Sequence, residues 1–218
     1  MKIGIISDTH GLLRPEIIES LEGCESILHG GDINRQEILD QLEEIAPVYA
    51  VRGNNDKDWA EQIPLFLEIE LAGTRIYMTH KKKDLPADVG GYDLVVFGHS
   101  HRYEKKTQGK TLLLNPGSCG PRRFHQAITM ATAEICDGDI NVTRIEIPQK
   151  PMTALSKPGV ADLKKQIEIV VKETQKNRSP EEIANKYGYD TALTEQIARL
   201  YLTHPGVTAD GIMTKMGY

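Results

Sequence analysis

Apolar residues along this chain come in short runs, each closed by glycine and a cluster of polar side chains. Lys2–Ile6 is rich in isoleucine and predicts a buried strand. Residues 15–21 place Ile17, Ile18 and Leu21 on one helical face, and residues 36–45 do the same with Ile38, Leu39, Leu42 and Ile45. Between and after these helices, strands at 26–28 and 48–51 end in Gly30-Gly31-Asp32 and Arg52-Gly53-Asn54-Asn55-Asp56. The pattern then turns β-rich. Residues 66–71 and 75–79 flank Ala72-Gly73-Thr74, residues 103–107 and 111–114 flank Gln108-Gly109-Lys110, and residues 126–135 and 140–147 flank a turn at Asp137-Gly138. A further buried run lies at 94–97. This order predicts an α/β layered domain whose second half supplies antiparallel strands.

A boundary follows. Pro148, Pro151, Pro158 and Gly159 fall within one short polar stretch, which predicts a domain over 1–150, a linker at 151–159 and a separate segment at 160–218. That last segment is helical in pattern throughout. Leu163, Ile167, Val170 and Val171 share a face, Ser179-Pro180-Glu181-Glu182 is a capping box with proline at the first helical position, Gly188 stops that helix and Asp190 opens the next.

The full chain has 218 residues and a net charge of -5. Residues 1–150 carry 17 basic and 23 acidic side chains, and residues 151–218 carry 9 and 8. Neither part has the basic surface of a nucleic-acid binder, and a polyanion would meet repulsion unless bound cations reversed the local field. No apolar run approaches the ~20 residues of a membrane span. The N-terminus has no h-region, and the three cysteines form no CxxC pair, so a reducing cytoplasmic location is expected.

The chemistry lies where the strands end. Asp8 and His10 follow the first strand, Asp32 the second and Asn54 the third. His80 follows the run 75–79, and His99 and His101 follow 94–97. Strand C-termini form the crevice in which α/β sites assemble. Imidazole, carboxylate and amide ligands without thiolate suit ions such as Mn²⁺, Fe²⁺, Ni²⁺ or Zn²⁺. Seven such donors exceed one four-coordinate site and suffice for two ions if a carboxylate bridges.

Taken together, Asp8-Thr9-His10-Gly11, Gly31-Asp32, Gly53-Asn54-Asn55-Asp56, the His80 segment, Gly98-His99-Ser100-His101 and Asn115-Pro116-Gly117-Ser118 resemble the calcineurin-like metallophosphoesterases. The likeness is to the small bacterial and archaeal phosphodiesterase subgroup and covers residues 1–148, leaving the helical segment outside it. It implies a four-layer α/β/β/α sandwich with an all-α appendage. It implies two divalent ions, manganese first, with nickel, iron or zinc fitting the same ligands. Asp8, His10 and His101 would hold one, Asn54, His80 and His99 the other, and Asp32 would bridge them. A bridging hydroxide would attack the phosphorus of a small phosphate ester in line. Asp32, Asn54 and His10 would then serve the reaction directly. The expected activity is a phosphodiesterase; the alternatives are a nuclease of the superfamily and a non-catalytic scaffold like the retromer subunit that shares this fold.

Two departures from the wider superfamily stand out. Asn55 occupies the position where many relatives carry a histidine able to protonate the leaving group, so good leaving groups should be favoured. Lys81-Lys82-Lys83 stands where glycine is usual, and Lys81 with Asn55 is a candidate for substrate contact. Arg122, Arg123 and His125 are further candidates against the reading of a solvated loop. His29 could orient Asp32, Asp56 could orient a ligand or pair with Arg52, and Cys119 has no expected role. The helices after residue 160 predict packing, dimerisation into a homo-oligomer or a lid, with only Arg199 and His204 to favour a DNA contact.

Overall fold

The computed structural model describes residues 1–121, 126–136, 138–148, 160–176, 178–204 and 206–217. They fall into two compact units, the first comprising Met1–Pro121 and Gln126–Pro148. The expected linker at 151–159 lies outside the described residues.

The first unit opens with β1 (Lys2–Ile6), α1 (Pro15–Leu21), β2 (Ser26–His29), α2 (Gln36–Glu43) and β3 (Val48–Ala50). Next come β4 (Phe66–Leu71), β5 (Thr74–Thr79), β6 (Leu94–Val96), β7 (Tyr103–Gln108), β8 (Thr111–Pro116), β9 (Thr129–Cys136) and β10 (Asp139–Glu146). They form two five-stranded mixed sheets, ordered β10-β9-β1-β2-β3 and β4-β5-β6-β8-β7. In the first, β1, β2 and β3 run parallel, with β9 antiparallel to β1. In the second, β5, β6 and β8 run parallel, with β4 and β7 as antiparallel edges. Consecutive parallel strands need crossover connections, which α1 and α2 provide in the first sheet.

Burial explains the layers. Ile3, Ile5 and Leu28 of one sheet share a buried cluster with Ile76, Met78, Val96 and Leu114 of the other, which is the core between the sheets. The opposite face of the first sheet packs Ile6 and Ile27 against Ile17, Leu21, Ile38, Leu39 and Leu42 of α1 and α2. The outer face of the second sheet buries Tyr77, Val95, Phe97 and Leu113, with Leu85, Val89 and Tyr92 against them. Within the first unit's described residues, a 3-10 turn at Lys82–Asp84 and the loop that follows pack on this face.

The parallel strands place their C-termini along one edge of each sheet, as the sequence pattern anticipated. Boundaries shift by a few residues: the run expected at 126–135 begins as a strand only at Thr129, where it meets Glu146 of β10.

The second unit contains α3 (Val160–Thr174), α4 (Pro180–Tyr187), α5 (Thr191–Thr203) and α6 (Ala209–Lys215). Leu163, Ile167 and Val170 of α3 pack with Ile183, Ile197 and Ile212. The capping box is complete in both directions: Glu182 N donates to Ser179 Oγ, and Ser179 N donates to the Glu182 carboxylate. Gly188 ends α4 with φ of 68°, and Asp190 caps α5 through Leu193 N. The buried Glu173 carboxylate is matched by Lys176, Arg178 and Lys186, which holds it well below the usual carboxylate range, near 2. No helix among the described residues is long and apolar enough to cross a membrane.

Ile5 is fully buried between the two sheets. Replacing it with alanine is expected to destabilise the protein by ~2–5 kcal/mol, read as a lower urea midpoint with an unchanged denaturant slope.

Candidate metal centre

The strand ends deliver their polar residues on unusual backbone. Seven described non-glycine residues have positive φ, and five of them are Asp8 (56°), His10 (47°), Asp32 (57°), His99 (71°) and His101 (57°). Each such residue costs on the order of 1–3 kcal/mol and persists only where its surroundings enforce it. Here the enforcement is a lattice of backbone hydrogen bonds between loops. Asp8 N donates to Gly31 O, His10 N to Asp32 O, Gly30 N to Ile6 O and Gly98 N to His80 O, at 2.8–2.9 Å.

Side chains brace the same loops. Asp56 Oδ1 accepts from Ile33 N and Asn34 N, and its Oδ2 accepts from Gly53 N, so one buried carboxylate staples the Asp32 loop to the Asn54 turn. Asp56 thus braces the loops that carry the candidate ligands Asp32 and Asn54. Asn115 Nδ2 donates to Gly98 O, and Ser118 Oγ donates to Asp8 O, so the Asn115–Ser118 turn buttresses two ligand loops. Gly53 sits so close that a β-carbon there would lie 2.2 Å from Asp32 N.

Two groups of candidate ligands result: Asp8, His10 and His101, and Asp32, His80 and His99, with donor atoms in each group within 4.8 Å of one another. In the first, His101 Nε2 lies 3.1 Å from Asp8 Oδ1, and His10 Nε2 lies 3.8 Å from that oxygen and 3.2 Å from His101 Nε2. Donors ~2.1 Å from one ion sit roughly 3.0–3.5 Å apart, so this triangle fits a shared cation. In the second, His80 Nε2 lies 3.4 Å from Asp32 Oδ1, and the His80 and His99 rings meet edge to face at 5.2 Å. Asp32 faces both groups: Oδ1 is turned to His80, while Oδ2 is 3.8 Å from His10 Nε2.

Among the described residues, Asp8 Oδ1 and His80 Nε2 are buried and make no hydrogen bond, which leaves them available as ligand atoms. The remaining atoms are engaged. Asp8 Oδ2 accepts from Ser7 Oγ and His99 N, and His80 Nδ1 donates to Gly30 O at 2.7 Å, which turns the Nε2 lone pair into the site. Burial works against the charge on Asp8, but His101, with help from His80 and Ser7, outweighs it and holds the carboxyl below its ordinary range. Asp32 is treated alike: burial opposes its charge, and His80, Asn55 N and His10 hold it well below that range. On His80, burial disfavours the charged ring, while Asp32 and Asp8 raise its pKa. His99 is lowered by burial and by the neighbouring His80 and Lys81.

The other candidates separate. Asn54 is exposed and lines a cavity beside His80. Asn55 is turned to Asp32: its N donates to Oδ1 at 2.8 Å and its Nδ2 to Oδ2 at 2.6 Å. Lys81 lines the same cavity, whereas Lys82 pairs with Glu104 and lies over the Phe97 ring, and Lys83 is exposed. His29 bonds neighbours of the ligands: its Nδ1 accepts from Gly31 N and its Nε2 faces Thr9 Oγ1. Cys119 is buried, and its thiol is pushed up to about 12, so it stays protonated and offers no thiolate. Arg122, Arg123 and His125 lie outside the described residues. Sequence reasoning passed over Ser7, whose only signal is its place before Asp8, and the apolar pair Leu65-Phe66 beside the cavity, which carries no local signal.

A two-sheet sandwich that gathers histidine and carboxylate donors at parallel strand ends defines a metal-dependent hydrolase framework. Residues 1–138 match the calcineurin-like phosphoesterase superfamily domain, and the chain belongs to that family. It is 33% identical over 132 residues to a probable metallophosphoesterase of Methanothermobacter thermautotrophicus, covering 54% of this chain and 77% of that protein. It is 30% identical over 141 residues to a phosphodiesterase of Methanocaldococcus jannaschii, covering 55% and 84%. A solved archaeal phosphodiesterase superposes with a TM-score of 0.59 at 26% identity, covering 67% of this chain and all of that one.

Two outcomes test the site. Gly53→Ala displaces Asp32, and metal affinity measured by chelator competition is expected to fall 10–100-fold. His29 is held neutral by burial, its pKa lowered from 6.5 to about 3. The unfolded chain therefore binds a proton that the folded one refuses between these values. Its contribution to stability is full above ~6.5 and is lost as pH falls toward 3. In His29→Gln, the decline in melting temperature from pH 6.5 to 4 should be shallower than in the parent.

Proposed function

We propose that this protein is a dinuclear metal-dependent phosphodiesterase acting on small phosphate esters, and that Asp8, His10, Asp32, Asn54, His80, His99 and His101 are its ligands. The observation that carries the reading is the Asp32 carboxylate, whose two oxygens face two separate histidine groups. A bridging ligand requires that arrangement, and a structural ion pair does not. Divalent ions held by these residues would supply Lewis-acid charge for the phosphoryl oxygens and lower the pKa of an attacking water toward ~7.

The chain's own residues do the rest. Asp32 and Asp8 stay ionised because the surrounding imidazoles and amides outweigh burial, so the cage keeps its charge through the working pH range. His80, locked through Gly30 O, presents Nε2 in one orientation and loses little freedom on ligation. Asn55 clamps Asp32 and carries no titratable proton, so leaving-group protonation at that position falls to solvent, which favours esters of acidic alcohols. Lys81 and Asn54 stand on the open side, where an ester would enter. The acidic surroundings disfavour extended polyanions and leave small esters as the partner class. Manganese, nickel, iron and zinc all suit the donor set.

Asp32→Ala removes a donor from both groups at once. Hydrolysis of bis(4-nitrophenyl) phosphate with added Mn²⁺ should fall by at least ~10³-fold, and bound metal measured by mass spectrometry should drop from two ions per chain, while far-UV circular dichroism stays unchanged. Turnover retained in that variant overturns the mechanism.

A further inference from the structure

A cavity of about 290 Å³ opens beside His80 and Asn54, and its walls are chemically divided. Arg52 and Lys81 supply cationic groups, offset by Asp84, while Leu65, Phe66 and Tyr77 supply an apolar wall. The volume is at the lower end of small-molecule sites.

The apolar wall is the informative part. Leu65 is 60% exposed and Phe66 is 54% exposed. In the first unit they are the large hydrophobic side chains most open to water among the described residues, and both border this cavity. Scattered apolar residues on a surface need no explanation, but two in sequence beside a charged centre do. Phe66 begins β4, an edge strand, and pairs directly with Thr79 of β5, the residue before His80. Its ring is stacked at 5.9 Å and 15° on Tyr77, which fixes its orientation, while the rest of the ring remains open to solvent. A rigid, half-exposed phenyl next to a phosphoryl site is suited to stacking a planar group.

We infer that the Leu65-Phe66 wall is a subsite for an aromatic arm of the substrate, an aryl group joined to the phosphate through its ester oxygen, and that Phe66 sets this preference. The inference rests on the phosphodiesterase reading of the neighbouring centre. With phosphorus at the histidine and carboxylate cage, the ring of one ester arm lies over Phe66, and Arg52 and Lys81 face the anionic oxygens. Stacking adds binding that an alkyl arm does not gain, worth about tenfold in affinity.

Two measurements on the full chain with Mn²⁺ separate this inference from the reading beneath it. Calorimetry compares phenylphosphonate with methylphosphonate. Kinetics compares bis(4-nitrophenyl) phosphate with ethyl 4-nitrophenyl phosphate, which share a leaving group and differ in the other arm. In the parent, phenylphosphonate should bind about tenfold tighter than methylphosphonate. In Phe66→Ala that ratio should approach one and kcat/KM should fall for the diaryl ester alone, chiefly through KM, while Phe66→Tyr should keep both preferences. A phenyl preference that depends on Phe66, without hydrolysis of either ester, supports the subsite and overturns the phosphodiesterase reading. Hydrolysis of both esters with preferences unchanged in Phe66→Ala, or no phenyl preference in the parent, overturns the subsite.

Discussion

Two buried carboxylates govern this molecule. Asp8 is fully buried and Asp32 nearly so, and an ionised group taken out of water without compensation costs several kcal/mol at least. Among the described residues no lysine or arginine is paired with either one. The protein surrounds them with imidazoles, backbone amides, one serine hydroxyl and one asparagine, and leaves Asp8 Oδ1 facing inward without a hydrogen bond. That balance keeps both groups charged, and each carboxylate stands in a group of donors that could hold a cation.

The same requirement explains the strain. A strand running directly into a helix would carry its last side chains to alternating faces, and donors from separate strands would not meet. Five candidate ligands, Asp8, His10, Asp32, His99 and His101, sit in left-handed backbone, and their side chains gather into two donor groups. The backbone bonds between the Asp8, Asp32, His80 and His99 loops, with the Asp56 staple, hold these conformations in place. Glycine at Gly53 belongs to this arrangement, because a side chain would occupy the space of Asp32.

Family membership sets the class of chemistry, while the residues around the cage shape what it accepts. Asn55 clamps both oxygens of the Asp32 carboxylate. The lysine run after His80 divides, with Lys81 at the cavity and Lys82 drawn to Glu104 and the Phe97 ring. The run of like charge therefore does not act as one patch. Leu65 and Phe66, the most exposed large hydrophobic side chains among the first unit's described residues, give the cavity an apolar wall. The helical unit has its own core and its own compensated carboxylate, Glu173.

Much of this was legible in order and spacing. Alternating apolar runs and amphipathic helices set the sequence of elements. Metal-ligand side chains recurring after successive runs marked the site, because the C-termini of parallel strands share an edge. Local caps were equally readable: Ser179, Gly188 and Asp190 act through bonds to residues three or four positions away. What only the tertiary structure decided lies across longer separations. The approach of His10 to His101 and of His99 N to Asp8 joins residues 91 apart, on loops that follow strands of different sheets, and no local pattern encodes a distance of that kind. The split of Asp32 between two histidine groups, the clamp by Asn55 and the half-exposed ring of Phe66 belong to that set. Each depends on which side of a neighbouring strand or loop a side chain meets, and packing between the sheets settles that.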